Sequence, residues 1–455
     1  MSVLTRRVPF VLLKALGMNH YQSLIGIVII LLISIAVSDN RSNIDYKNLL
    51  KGLLFQFLLA LILLKVPFIQ SFLGSLNESV LQLQKATQAG TSLVFGYLGG
   101  GPLPFEEKTP GMSFILGLQA LPMILIFSAL SSLLYYWRVL PLVIGAFAWL
   151  LGKVLNVTGA TSFASIATVF VGIVEAPLLI RPYLSGLSKA ELFVVMSTGM
   201  STISGTVLVI YASFLQNAVP HVVTHLIIAS LISAPGAIVL SLVAVPKEVL
   251  FETPPSKLDD ADLQGHGLKS YIKALLHTTD AHKKYQSTMD AISDGTFQGM
   301  KLLASVIAML IVLVALVSLG NSILQLLPDM NGSALTIQRI IGWIMQPFSW
   351  TLGIEWRDTA VAGQLMGEKL VLNEFIAYLD LSKLSTDAIS EHSRVLLTYL
   401  LCGFANFGSL GIVIAGMGSM APERQREIVQ MGAKSLLIGT LSTCLSAAMI
   451  GLLLF

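Results

Sequence analysis

Val171-Gly172-Ile173-Val174-Glu175-Ala176-Pro177-Leu178-Leu179-Ile180-Arg181-Pro182-Tyr183-Leu184 lies at the end of an apolar run that begins at Ser162. A straight membrane-spanning helix has no place for Glu175, Pro177, Arg181 and Pro182 in such close succession. A hairpin that enters the membrane and returns can hold them, because its tip lies inside protein rather than in lipid. The next helix, about Ala190 to Phe214, is expected to be cut midway by Ser197-Thr198-Gly199-Met200-Ser201-Thr202-Ile203-Ser204-Gly205. So dense a Ser/Thr/Gly run suggests an unwound segment with free backbone carbonyls.

The pattern returns in the second half. Ala360 to Leu381 is another broken apolar stretch, holding Lys369 and Leu372-Asn373-Glu374-Phe375. Arg394 to Met417 then reads as a helix interrupted by Gly403-Phe404-Ala405-Asn406-Phe407-Gly408-Ser409. Gly205 follows Glu175 by 30 positions and Gly408 follows Glu374 by 34. Similar connectors, Tyr183-Leu184-Ser185-Gly186-Leu187-Ser188 and Tyr378-Leu379-Asp380-Leu381-Ser382, lie between them. Two copies of hairpin plus broken helix are what inverted-repeat transporters are built from, with the substrate site near the bilayer midplane.

The composition agrees. Of 455 residues, 55% are hydrophobic and only 12% charged, about half the charge of an ordinary soluble chain. At about 20 residues per crossing, the apolar content supplies eight or more spans. Plain spans are expected at Ser23–Ser38, Leu53–Val66, Gly111–Tyr136, Thr224–Val245, Lys301–Leu319 and Ser435–Phe455. Phe68 to Gly101 suits an interfacial or partly buried helix better than a lipid-facing one, and Leu140 to Leu155 is short enough to lie along the surface. Pro246 to Thr296 is the one long polar connection.

The chain divides accordingly. Residues 1–156 are mainly scaffold and interfacial helix, and 157–245 hold the first repeat of a transport domain. Residues 246–297 form the polar loop, 298–350 a scaffold helix and interfacial segment, and 351–455 the second repeat. The expected fold is an all-α polytopic membrane protein: about eight transmembrane helices, two re-entrant hairpins and interfacial helices in an inverted repeat.

Other signals carry less. A net charge of +3 is too weak to indicate nucleic-acid binding, which needs a clustered basic face. Cys402 and Cys444 sit in apolar runs and read as packing residues, not a disulfide or zinc site. His221 and His225 are four apart, but no carboxylate or cysteine completes a metal site. His277 and His282 fall in the polar connection. Arg6, Arg7 and Lys14 form a basic juxtamembrane segment. Gly99-Gly100-Gly101-Pro102 lacks the lysine and hydroxyl of a phosphate cradle. Lys369 is expected to pair with Glu368 or to cap a helix. No nucleophile–base pair marks an enzyme, and no cofactor is implied.

Glu175 and Glu374 therefore stand out. A carboxylate at the bilayer centre costs about 3 kcal/mol on insertion scales, so each needs a partner or a ligand. Carboxylates accept hydrogen bonds from hydroxyl and N–H groups, which points to a polar, largely neutral small molecule as cargo.

At these residues the sequence resembles the concentrative nucleoside transporters, in a bacterial-type form. The likeness rests on Val171 to Leu184, on Lys369-Leu370-Val371-Leu372-Asn373-Glu374-Phe375 and on Cys402-Gly403-Phe404-Ala405-Asn406-Phe407-Gly408-Ser409-Leu410-Gly411. It covers nearly the whole chain from about residue 20. The resemblance implies a trimeric secondary transporter, multi-pass in the plasma membrane (the cytoplasmic or inner membrane of a bacterium), whose hairpin-bearing domain moves like an elevator against a scaffold. It implies that Glu175 faces the nucleobase, with Val207, Ile173, Val174 and Phe404 around it, and that Glu374, Asn406 and Ser409 hydrogen-bond the ribose hydroxyls. It places a sodium site at the side chains of Thr168 and Thr202 and the backbone carbonyls of Val171 and Ile203.

Two departures from the family pattern matter. Where the family commonly has Gly-Gln-Thr-Glu, this chain has Gly172-Ile173-Val174-Glu175, so base preference is not carried over. Thr168 replaces a sodium-binding asparagine, which leaves coupling to either Na+ or H+ open. The expected function is ion-coupled uptake of nucleosides or nucleoside-like molecules; the alternative is a nucleoside-binding membrane receptor without translocation.

Overall fold

Side-chain caps begin many of the helices in the computed structural model, which describes residues 19–107, 112–173, 175–247, 285–330 and 332–454. Arg6, Arg7, Lys14, Val174, His277, His282 and most of the polar connection lie outside the described residues. Among those described, regular structure is helical apart from one isolated bridge between Met330 and Ser333.

Helices α1 (Asn19–Ala36) and α2 (Tyr46–Lys65) are followed by the long amphipathic α3 (Pro67–Phe95). The Asp45 carboxylate starts α2 by accepting from the Asn48 N–H at 2.9 Å. Next come α4 (Met123–Tyr136) and α5 (Val139–Leu155). The first hairpin is α6 (Gly159–Phe170) and the short α7 (Glu175–Leu179). Its broken helix is α8 (Lys189–Ser201) and α9 (Gly205–Leu215), followed by α10 (Val222–Ala244). After the connection, α11 (Thr288–Leu324) and α12 (Ile337–Thr351) lead to the second hairpin, α13 (Thr359–Val371) and α14 (Glu374–Lys383). The second broken helix is α15 (Glu391–Leu401) and α16 (Phe407–Met420), and α17 (Gln425–Leu453) ends the fold.

Among the described residues, six helical segments are long and apolar enough to cross a membrane, with α8 and α9 together counted as one. Adding α1 and the second broken helix gives the eight expected from the sequence. The last residues of the polar connection, from Thr288, already belong to α11, whose 37 residues extend about 55 Å.

Both breaks are shorter than the sequence suggested. Ser197 to Ser201 stays helical, and the interruption is confined to Thr202–Ser204. The reason is back-bonding: the Thr198 hydroxyl donates to Val194 O at 2.9 Å and the Ser201 hydroxyl to Thr198 O at 3.0 Å. Such hydroxyls find their acceptors on the helix itself and need not unwind it. The second break covers Cys402–Asn406, and Phe407 already belongs to α16.

Helices α10 and α17 form the centre, each 89% buried over its apolar window. They pack on each other and on α8, and Ser233 and Ser446 meet across them at 2.9 Å. Helices α1 and α2 also lie against this body, chiefly on α17 and α10. In contrast, α4 pairs with α11, whose apolar window is only 11% buried.

The second hairpin rests on α12, and glycine allows it. A Cβ built on Gly363 would run into the carbonyl oxygen of Gly342 and meet the Gln346 N at 3.0 Å. Close approach at small residues is the usual basis of helix pairing in membranes. Gly363→Val is therefore expected to lower stability by about 1–3 kcal/mol through overpacking. Gly74→Ala is its control, because a Cβ there meets nothing within 4 Å. Thermal unfolding in detergent checks this, and equal melting of the two variants would remove the packing argument.

Candidate functional site

The residue that organises the centre is Glu374, 4% exposed at the start of α14. The Asn373 side chain caps that helix by accepting from the Ile376 N–H at 3.0 Å, which turns the backbone so that Glu374 points inward. The positive end of the helix dipole then favours a carboxylate at this place. One oxygen accepts the Tyr211 hydroxyl at 2.7 Å, and the other accepts the Asn406 amide at 2.8 Å. Asn406 is itself fixed, because its Oδ1 caps α16 by accepting from the Ser409 N–H at 2.7 Å. Tyr211 is held among rings, 4.8 Å from Tyr378 and 5.9 Å from Phe375 between centroids.

This network lines a cavity of about 190 Å³. The first hairpin contributes Val171, Gly172, Ile173 and Glu175, and α9 adds Val207. The second break supplies Phe404, Asn406 and Ser409. Helix α11 closes the remaining side with Leu302, Val306 and Leu310. The cavity thus lies between the body holding both hairpins and the α4–α11 pair.

Glu175 is exposed on this cavity, unlike Glu374. Its carboxylate folds back over Gly172, where φ is +127° and a Cβ would stand 2.5 Å from Oε2. Only glycine meets both demands. Ile173 lies against Gly199, since a Cβ there would approach its Cγ1 to 2.8 Å. The wall beside Glu175 is therefore apolar, and Val174 lies outside the described residues.

Behind the first hairpin tip the chain gathers oxygens. The hydroxyls of Thr168 and Thr202 are 2.9 Å apart, 1% and 0% exposed respectively. Thr202 Oγ1 also lies 3.0 Å from Thr198 O, and Thr168 donates to Ser165 O at 2.7 Å. Ile203 is buried at the break, where the Ser230 hydroxyl lies 3.4 Å from both its N and its O. Of the four residues assigned to an ion, only Val171 borders the cavity; Thr168, Thr202 and Ile203 stand behind it. Hydroxyl and carbonyl oxygens at a helix break are donors suited to a hard cation.

Tyr211 is the residue of this cavity's polar network that the sequence reading missed. Its signal was present: it follows Val207 by four positions, so the two share a face of α9. Lys369 does not pair with Glu368, which accepts from Gln364 at 3.0 Å. It donates instead to Leu400 O at 2.8 Å, in the last turn of α15. The two histidines have different surroundings. His221 lies outside α10 at a φ of +51°, and His225 engages the Tyr399 hydroxyl at 2.9 Å. Cys402 and Cys444 are buried free thiols, and no group of three His, Cys, Asp or Glu side chains among the described residues could hold a metal.

Three family profiles match the chain. "Na+ dependent nucleoside transporter C-terminus" covers residues 225–451, its N-terminal counterpart covers 25–98, and "Nucleoside recognition" covers 117–218. The nucleoside permease NupC of Helicobacter pylori is 32% identical, over 94% of this chain and 97% of its own. Human sodium/nucleoside cotransporter 1 is 33% identical over 95% of this chain and 63% of its own. The structure of CNTnw in an inward-facing substrate-bound state superposes with a TM-score of 0.82 at 31% identity, covering 96% of this chain and 98% of that one. The fold is thus that of an all-helical membrane transporter, not an enzyme, multi-pass in the plasma membrane. On this sequence and structural agreement, the chain belongs to the Na+-dependent, concentrative nucleoside transporter family.

Proposed function

We propose that the protein takes up nucleosides by symport with Na+, moving the hairpin-bearing body against the α4–α11 pair as an elevator within a homotrimer. The observation that carries the reading is the grip on Glu374. Tyr211 and Asn406 each donate to one of its oxygens and hold it at the cavity wall. A carboxylate accepts from hydroxyl groups and can take two vicinal ribose hydroxyls. Asn406 and Ser409 extend that polar end, while Glu175 receives N–H groups of the base against Ile173, Val207 and Phe404.

Sodium is favoured over the proton by the donor set. Thr168 and Thr202 bring two hydroxyl oxygens together at a break whose backbone supplies further carbonyls. A gradient drives uptake only if ion and substrate stabilise the same loaded state, a coupling of about 1–3 kcal/mol in ordinary cases. The hairpin tip provides the link, since Val171 and Glu175 belong to one short turn bordering the cavity.

Glu374→Gln is expected to lower kcat/KM for nucleoside uptake about 10- to 100-fold, the loss of a charge-assisted hydrogen bond. Uptake unchanged in reconstituted vesicles would remove the ribose assignment. For coupling, uptake is expected under an inward Na+ gradient and not under a pH gradient alone. Thr168→Ala is expected to raise the Na+ concentration for half-maximal uptake. Uptake driven by the pH gradient alone would replace Na+ with H+. Nucleoside binding without counterflow would make the protein a receptor.

A further inference from the structure

Lys369 is 2% exposed in the interior of a membrane protein, on a hairpin that the substrate reading uses only at Glu374. Its ammonium donates to Leu400 O at 2.8 Å and Thr443 Oγ1 at 3.1 Å. The carboxylate whose charge acts on it is Glu374, and the other titratable groups facing it are Cys402 and Cys444.

Its place in the repeat is informative. Thr168 is the third residue from the end of α6, and Lys369 is the third from the end of α13. The broken helices correspond in the same way, α8 ending at Ser201 with Thr202 as its cap, and α15 at Leu401 with Cys402. The following helices agree too. Ser230 and Ser233 on α10 are matched by Thr443 and Ser446 on α17, and Ser233 meets Ser446 directly at 2.9 Å. Ser230 reaches the first break at Ile203, whereas Thr443 reaches Lys369 beside the second. A hairpin residue, the end of a broken helix and a hydroxyl from the next helix thus enclose equivalent positions in both repeats. In the first, the hairpin residue is a short hydroxyl. In the second, it is a lysine whose ammonium lies among the surrounding oxygens.

We propose that Lys369 is a tethered cation occupying the repeat-related counterpart of the ion site at Thr168 and Thr202, so that the protein couples one exchangeable cation, not two, to each nucleoside. This rests on the cation-coupled reading above. Each repeat then has one acid and one cation site. The second repeat holds its positive charge covalently, beside Glu374, in every state of the carrier. The first binds and releases its cation. A charge buried in this setting is costly unless it is compensated, so the second repeat stays balanced throughout and only the first senses the ion.

The test measures ion stoichiometry in proteoliposomes, as charge moved per nucleoside and as the Hill coefficient for Na+. The wild type is expected to give a charge ratio near one and a Hill coefficient near one. Lys369→Thr, which copies the first repeat, is expected to require more Na+ and to raise the Hill coefficient toward two. Lys369→Arg, which keeps the charge, is expected to stay near one. Two charges per nucleoside in the wild type would overturn the proposal. So would Lys369→Thr with an unchanged Hill coefficient and unchanged half-saturation. Should Lys369→Thr fail to fold by size-exclusion chromatography, the wild-type charge ratio decides. A wild type indifferent to Na+ would instead defeat the cation-coupled reading itself, an outcome distinct from a Na+-driven transporter moving two charges.

Discussion

A helix broken inside a membrane leaves amides and carbonyls with no water to satisfy them, and this constraint governs the centre of the molecule. The chain answers it with polar side chains, some local caps and some from other helices. Asn373 and Asn406 cap the helices that begin at the second hairpin tip and the second break. Ser230 serves Ile203 at the first break. The two breaks also serve each other, since the Phe404 N–H faces Thr202 O at 3.4 Å. Gly403 permits the crossing, because a Cβ there would stand 2.9 Å from Ser201 O. What satisfies the backbone also builds the site: Asn406, needed to cap α16, is the residue that donates to Glu374.

The two acids are placed in opposite circumstances by the same hairpin architecture. Each stands in the first turn of the hairpin's second limb. Glu374 is locked by neighbouring side chains and has little freedom to reorient. Glu175, beside a glycine with positive φ and open to the cavity, sits on a shorter helix of five residues. One cavity is thus lined by a pre-organised acceptor and by a more open one. Pre-organisation lowers the ordering cost of binding where the ligand does not vary.

Much of this was legible in the chain, and the failures have physical causes. Glu175 and Glu374 revealed the repeat because charge in an apolar run has few explanations. The first break is shorter than its Ser/Thr-rich run suggests, because Thr198 and Ser201 bond back to their own helix instead of unwinding it. Tyr211 was missed because an aromatic residue in an apolar helix reads as core; its role appears only when Glu374, 163 residues later, folds against it. The neighbours of α1 and α2 were not legible in the chain. Apolar composition states that a helix enters the membrane, not which helix it meets there, and here they meet α17 and α10.

On the elevator movement proposed above, the charge inside the hairpin-bearing body becomes decisive. An acid and a tethered lysine travel together at little electrostatic cost, because their separation does not change with the motion. A cation site that exchanges with solution is different. Emptying it changes the net charge of the moving body by one, and an uncompensated charge in a medium of low dielectric costs several kcal/mol. Such a cost falls on every form of the carrier that lacks its cation, whatever neutral molecule is bound, and so disfavours movement of the substrate alone. On the proposal made for Lys369, the asymmetry between it and Thr168, at matching positions of two repeats, would give one moving body a balanced half and a sensing half.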